Sequence, residues 1–315
     1  MPFACVSKVY TGSNATRNLR LSSSAVTSVA ASARVAFGLL VRDGAKYLSG
    51  NLDSIVRLGQ HFLDFRIFYV ENDSVDATRF ILANLSAAFP RRFYGVMLDH
   101  VSAMNSVAMC PLTIEGRNCR PRVELLAKLR QRLLKLVLTW TQWHAFVMLD
   151  ADFLSLPHDD YLQMFALGVA RNATSIFGKS VYRNKYGYMA MYDTSALWGH
   201  GAVIPAIRAG CLTTVISAFS GVGTYFADAL RGAIREARPV PKYRIRNILN
   251  EHARFNYALN REYGVRHGRY AYIDPRFRPQ FHFWEGGYPG TAKAAGRGAT
   301  GRPERAATGR RKYTG

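Results

Sequence analysis

AFVMLDADF, residues Ala145 to Phe153, decides the fold. Its first five residues are apolar without interruption, a run of the length and kind expected of a strand buried on both faces of a parallel sheet. The run stops on Asp150-Ala151-Asp152. A buried strand that ends in two carboxylates must open into a crevice, because burying such charges unpaired costs too much. Two acids one residue apart also repel each other unless a cation sits between them. Hard oxygen ligands, few in number, suit Mg²⁺ or Mn²⁺ carrying a diphosphate. A surface loop with two solvated acids would carry the same three letters. The buried run before them favours the crevice.

Outward from this stretch, strand-like and helix-like runs alternate. ARVAFGLLV (Ala33 to Val41), FRIFYV (Phe65 to Val70) and FYGVML (Phe93 to Leu98) read as three further strands. Between them, Leu48, Leu52, Ile55 and Leu58 recur at helical spacing, and DATRFILANLSAAF (Asp76 to Phe89) reads as a helix that Ser74 or Asp76 would cap. The strongest helix runs from Arg122 to Trp140, with Leu126, Leu129, Leu133 and Val137 on one stripe. Alternation of this kind predicts an α/β fold, a Rossmann-like, mostly parallel sheet flanked by helices. Ligands of such sheets bind at the carboxyl ends of strands. The residues after Val41, Val70 and Leu149 are therefore the places to search.

After Val70 stands Glu71-Asn72-Asp73-Ser74-Val75-Asp76-Ala77-Thr78. Six of these eight residues are polar. A strand-to-helix turn of this composition can hydrogen-bond a base and a ribose while the helix start faces phosphate. Capping of the helix accounts for Ser74 or Asp76 but not for Glu71, Asn72 and Asp73. After Val41 stands Arg42, placed for a phosphate or a base edge. Arg122 and Arg130 lie eight residues apart on the strong helix, about two turns on a similar side. They are surrounded by Arg120, Lys128, Arg132 and Lys135, and a basic solvated face is the plainer account of them.

The whole chain has 315 residues, 49% hydrophobic and 20% charged, the balance of a folded domain. Lys plus Arg number 42 against 21 acids, a formal charge of +21 that suits an anionic ligand or surface. Residues 1–33, rich in Ser, Ala and Thr, are expected to be a flexible leader. With no acid before Asp43, the same composition leaves an organelle transit peptide open. Residues 34–285 carry the apolar periodicity. Residues 286–315 are a Gly/Ala/Arg-rich tail with seven basic residues against one acid, Glu304, and too little apolar surface to fold. No apolar run reaches the ~18 residues of a membrane span, and no secretory signal is evident, so a cytoplasmic enzyme is expected. Four cysteines without CxxC spacing argue against a disulfide-stapled domain or a cysteine zinc site.

Taken together, the pieces resemble nucleotide-sugar glycosyltransferases of the GT-A fold. The closest subgroup has the sequence style of enzymes of large DNA viruses and some microbes. More distantly, the chain is similar to fungal capsule-type mannosyltransferases and to family 2 transferases. YVENDSVDATRFIL resembles the group's "ENDS.D.T" turn, RVELLAKLRQ its "R…LA..RN" helix, and FVMLDADF supplies its DxD. YGYMAMYDTSALW, VISAFSGVGTY and NEHARFN resemble three further segments in the same order, with departures at Gln131, Ser195, Trp198 and Ser220. The resemblance implies that Asp150 and Asp152 hold Mn²⁺ or Mg²⁺ and, through it, the diphosphate of a UDP- or GDP-linked donor. It implies that Glu71, Asn72 and Asp73 line the nucleoside pocket, with Arg42, Arg122 and Arg130 near the nucleotide. Asp193 and Ser217–Gly221 would border the sugar and a glycan or glycoprotein acceptor. Glu251 would be the general base, and His252 a third metal ligand or a support to the ligands, a role for which His282 competes.

Two other readings differ in class. A haloacid-dehalogenase-like phosphatase also places DxD after a buried strand, but near its N-terminus and with a small residue and Thr or Val after the second acid. Here Phe153-Leu154 follow in mid-chain. A nucleic-acid-binding protein would account for the charge, with binding that falls steeply with salt. The sequence holds no RNP, zinc-finger or helix-turn-helix signature, and no specific nucleic acid is expected as a partner.

Overall fold

Among the described residues eight strands form one sheet, in the order β3 (Phe93–Leu98), β2 (Asp64–Asn72), β1 (Arg34–Val41), β4 (Ala145–Asp150), β10 (Val222–Phe226), β6 (Ser175–Gly178), β11 (Ala271–Asp274) and β9 (Thr213–Val215). The computed structural model describes residues 20–101, 120–183, 189–191, 207, 210–236 and 251–281. The first four strands, β1 (Arg34–Val41), β2 (Asp64–Asn72), β3 (Phe93–Leu98) and β4 (Ala145–Asp150), are parallel. β10 (Val222–Phe226) runs against both β4 and β6 (Ser175–Gly178). β11 (Ala271–Asp274) is parallel to β6, and β9 (Thr213–Val215) runs against β11. Six of the eight strands therefore point one way, and the expected mostly parallel α/β architecture is present.

Helices cover both faces because the strands are apolar on both. Val35, Phe37, Leu39 and Val41 of β1 pack on one side with Phe65, Ile67 and Tyr69 of β2 and with Val147 and Leu149 of β4. That side is closed by α2 (Ala45–Gly59), α3 (Thr78–Ala88) and α5 (His158–Ala170). Ala36, Phe68, Val70, Phe146 and Met148 face the other side. It is closed by α4 (Arg120–Val137), α6 (Ala227–Glu236), and α7 (Glu251–Asn256) with its π-helical extension Tyr257–Gly264. The stripe read from sequence on α4 is the buried one at Leu129, Leu133 and Val137. Burial of one such side chain contributes about 2 kcal/mol, so the stripe fixes how α4 sits against β1 and β2.

Three features depart from expectation. The flexible leader ends earlier than residue 33, because Ser23–Ser32 form α1. This helix is capped by the Ser22 hydroxyl, which accepts from the Ala25 N–H at 3.3 Å, and it packs through Val26 and Ala30 against α5. A second sheet of four short strands, β5 (Phe153–Ser155), β12 (Gln280–Phe281), β7 (Val181–Arg183) and β8 (Met189–Met191), stands beside the first. Cys211 is fully buried and disulfide-bonded, where the cysteine spacing argued against a disulfide-stapled domain. Residues 1–19 of the leader and the tail 286–315 lie outside the described residues. Among the described residues no helix is long and apolar enough to cross a membrane.

Candidate active site

Strand pairing sets the site's geometry before any side chain is considered. Val41 lies level with Glu71, and Leu40 lies level with both Val70 and Asp150. The carboxyl ends of β1, β2 and β4 are thus in register along one edge of the sheet. The acids of β4 and the turn after β2 meet at that edge. Side chains alternate across a strand, so neighbouring acids need not share a face.

Glu71 points to the side of α2 and α3. It is fully buried, its Oε1 accepting from the Ser74 N–H at 2.7 Å and its Oε2 lying 2.7 Å from Nε of Arg79. Arg79 also reaches Asp99 and the Leu98 carbonyl, and its hydrogen bond to Asp99 holds its pKa above the usual arginine value. With no exposed surface, and with Oε1 bonded and Oε2 ion-paired, Glu71 supports the turn.

The rest of the turn is largely spent on its neighbour. Ser74 Oγ accepts from the Asp43 N–H at 2.9 Å, Thr78 Oγ1 from Gly44 at 2.8 Å, and Asp76 Oδ2 from Ala45 at 3.0 Å. Asp43 returns a bond, accepting from the Val75 N–H at 2.8 Å. The polar cluster after β2 therefore caps the start of α2 as well as its own helix. Burial pushes the Asp76 carboxyl up, but bonds from Thr78 and Ala45 outweigh it, and its pKa is lowered. Asp43 and Asp73 both take left-handed backbone, with φ 47° and 52°, a conformation that aspartate tolerates better than most residues. Asn72 is buried and Asp73 half-buried. Arg42 is half-buried, with Nε 3.4 Å from Asp43.

Asp150 belongs to the opposite face, that of α4. Its carboxylate lies 3.1 Å from the Arg130 guanidinium, whose side chain is only 6% exposed. Its own N–H donates to the Gly221 carbonyl at 2.8 Å. Arg130 in turn lies over the Phe219 ring, 5.0 Å from the centroid, and Phe219 also stacks with His252. Those two rings stack at 3.6 Å and 10°. Burial first, and Arg130 second, hold the His252 imidazole well below its usual pKa, so it is neutral. Neither the Arg130–Asp150 pair nor the aromatic stack beneath it follows from spacing, since positions 130, 150, 219 and 252 come from four separate segments.

Arg130, expected near the nucleotide, thus sits on the first acid of the DxD. Asp152 is half-buried two residues on. Among the described residues no group of three or more His, Cys, Asp or Glu is arranged to hold an ion, and His252 is buried and stacked on Phe219. What remains is two hard carboxylate oxygen donors, one already neutralised by an arginine. That set fits an open half-site, completed by ligand oxygens and water, better than a protein cage. Arg122 is on α4 and Glu251 opens α7, but the side chains of both lie outside the described residues, as do Asp193 and His282.

No family model matches the sequence, and no curated protein matches it. Solved structures do show similarity. The mannosyltransferase PcManGT from Pyrobaculum calidifontis, in complex with GDP-Man and Mn²⁺, is 12% identical, with TM-score 0.45 over 79% of this chain and 56% of that one. GalNAc-T7 with UDP, GalNAc and Mn²⁺ is 10% identical, with TM-score 0.49 over 80% and 44%. Residues 1–349 of S. aureus TarS with UDP-GlcNAc are 13% identical, with TM-score 0.47 over 81% and 60%. The chain thus spans between 44% and 60% of the length of these structures. A likeness of this order carries no residue role, substrate or cofactor across.

Proposed function

We propose that the chain is a glycosyltransferase, moving a sugar from a UDP- or GDP-linked donor to a hydroxyl of a glycan or glycoprotein, with Mn²⁺ or Mg²⁺ as cofactor. The observation that carries this reading is the end of β4. Two acids leave a buried parallel strand in register with the ends of β1 and β2, and a buried arginine lies on the first of them.

The chemistry follows from charge. Sugar transfer builds negative charge on a departing diphosphate. A divalent ion held by Asp152 and Asp150 would supply Lewis-acid stabilisation of that charge. Arg130 fixes the orientation of Asp150 and keeps two adjacent acids from repelling each other before a ligand arrives. Arg42 adds a cation at the end of β1, and Glu71, Asn72 and half-buried Asp73, at the end of β2 and just beyond it, are assigned to the nucleoside. Arg122 is assigned to the same nucleotide. Asp193 is assigned to the sugar and acceptor. Glu251 is assigned the hydroxyl proton if the anomeric centre inverts, a task that needs a carboxylate within hydrogen-bond reach.

The test has two parts. UDP-, GDP- and CMP-sugars are screened by thermal shift with and without Mn²⁺. A ligand that binds only the folded state raises apparent stability, and a Mn²⁺-dependent shift with one donor is expected. Asp152→Ala is then expected to abolish metal-dependent turnover of that donor while the melting temperature stays close to the parent's. Unchanged turnover would overturn the role of the DxD.

A further inference from the structure

Residues His252, Asn256 and Asn260 follow one another at intervals of four along α7 and its π-helical extension. All three are buried, and all three grip the same short segment. Asn260 Nδ2 donates to the Ile216 carbonyl at 2.8 Å, and Asn256 Nδ2 donates to Ser217 Oγ at 3.0 Å. His252 stacks flat on Phe219. Asn260 is itself anchored, its Oδ1 accepting from Thr174 Oγ1 at 2.7 Å and from Ser175 Oγ at 3.0 Å. The i→i+5 bonding of a π-helix begins between the second and third of these residues, where an α-helix would carry position 260 further round from 252.

The segment held in this way ends at the candidate site twice over. Phe219 presents the face of its ring to Arg130, which holds the Asp150 carboxylate. Two residues on, Gly221 offers its carbonyl to the Asp150 N–H. Both the backbone and the side chain of Asp150 are therefore set by one five-residue segment, Ser217–Gly221. A cation over a desolvated aromatic face is drawn to the ring's electron-rich face, which selects one guanidinium orientation from several.

We infer that Phe219 is a positioning residue: braced by His252, it aims the Arg130 guanidinium at Asp150 and so presets the first acid of the DxD. The inference rests on the reading of the β4 end as a donor site for its effect on turnover, but its structural part can be checked without any substrate.

Phe219→Leu keeps a buried apolar side chain and removes the ring that both Arg130 and His252 face. His252→Phe keeps the ring stack. Amide hydrogen exchange in the full chain is measured at Asp150 and, as a control, at Phe37 in the middle of β1. Phe219→Leu is expected to speed exchange at Asp150 at least tenfold with Phe37 within about twofold, and His252→Phe to leave both within about twofold. With the donor found in the thermal-shift screen, Phe219→Leu is expected to lower kcat about tenfold with donor KM within about threefold. Equal acceleration at Asp150 and Phe37 would make Phe219 an ordinary core residue, and no change at Asp150 would refute the positioning role. If Phe219→Leu fails to fold, Asn256→Ala, which frees Ser217 from the other side, is expected to give the same selective acceleration at Asp150. No acceleration there would refute the role equally. If the exchange result holds while no donor is turned over even by the parent, the transferase reading fails and the positioning stands.

Discussion

Glu71 and Asp150 stand one strand apart, on either side of β1, at the same edge of the sheet, and each meets an arginine. The two acids nevertheless belong to different kinds of region. Glu71 takes its side-chain partners from its own neighbourhood, the Ser74 N–H three residues on and Arg79 eight residues on. Asp150 takes its partners from α4 and from the segment before β10. A locally satisfied acid finishes a turn. An acid held from distant segments is fixed in direction by the fold, and that is the costlier arrangement for a chain to maintain. Similar charge pairs at equivalent ends of two strands thus separate into one that builds the edge and one that equips it.

The comparison breaks if the two acids respond alike to loss of charge. Asp150→Asn keeps an acceptor for Arg130 and removes the anion. Turnover of the donor is expected to fall by about 10²–10³, the usual scale for removing a preorganised electrostatic group, while stability changes by less than about 1 kcal/mol. Urea unfolding and initial rates on the same preparation check both halves. Glu71→Gln is expected to do the reverse. It weakens a buried bond to a charged partner, costing about 2 kcal/mol, while kcat of the folded protein stays within about threefold. A variant pair that exchanged these effects would mean that the turn, and not the end of β4, carries the chemistry.

A smaller effect sharpens the contrast from the opposite edge of the sheet. His144, just before β4, accepts the Arg34 N–H at Nδ1, 3.0 Å away, which requires an unprotonated nitrogen. Burial first, then Arg34 and Arg231, lower its pKa below the ordinary 6.5. The unfolded chain therefore binds the proton more readily than the folded one. Stability is expected to decline as pH falls below about 6.5 toward the lowered folded value. The effect is modest, because the ring is partly exposed. His144→Gln should flatten that part of the pH–stability curve, measured by urea midpoints between pH 7 and 5. Because His144 lies outside the candidate site, donor KM at pH 7 should not move.

Much of the sheet was legible because β1 to β4, its four adjacent parallel strands, are short apolar runs with clear ends. The strand ending at Leu149 and its two acids fall where the pattern puts them, within one residue. The strip of α4 that meets the sheet was legible for the same reason. Other parts were not. α1 has only Val26 and Ala30 to bury, too few for a periodicity to show against Ser and Ala. The second sheet uses strands of two and three residues, and their pairing is a property of distant contacts. β10 enters between β4 and β6 from far along the chain, which no local pattern encodes. At the site, the polar turn Glu71–Thr78 is ambiguous in sequence because hydrogen-bonding groups that cap a neighbouring helix and those that hold a ligand are the same chemical groups. The Arg130–Phe219–His252 stack escaped because nothing in sequence joins its members.

Gly221 shows where the chain has least freedom to drift. It sits at φ 79°, and a Cβ there would fall 2.3 Å from the Phe281 ring in β12. Its carbonyl serves Asp150, so a position with no side chain ties the main sheet, the small sheet and the first acid of the pair together. Loop redesign aimed at new donors or acceptors can vary much around it. A library randomised at 221 should return glycine alone, and a graft that shifts the register there would lose the small sheet and the acid's backbone anchor in one stroke.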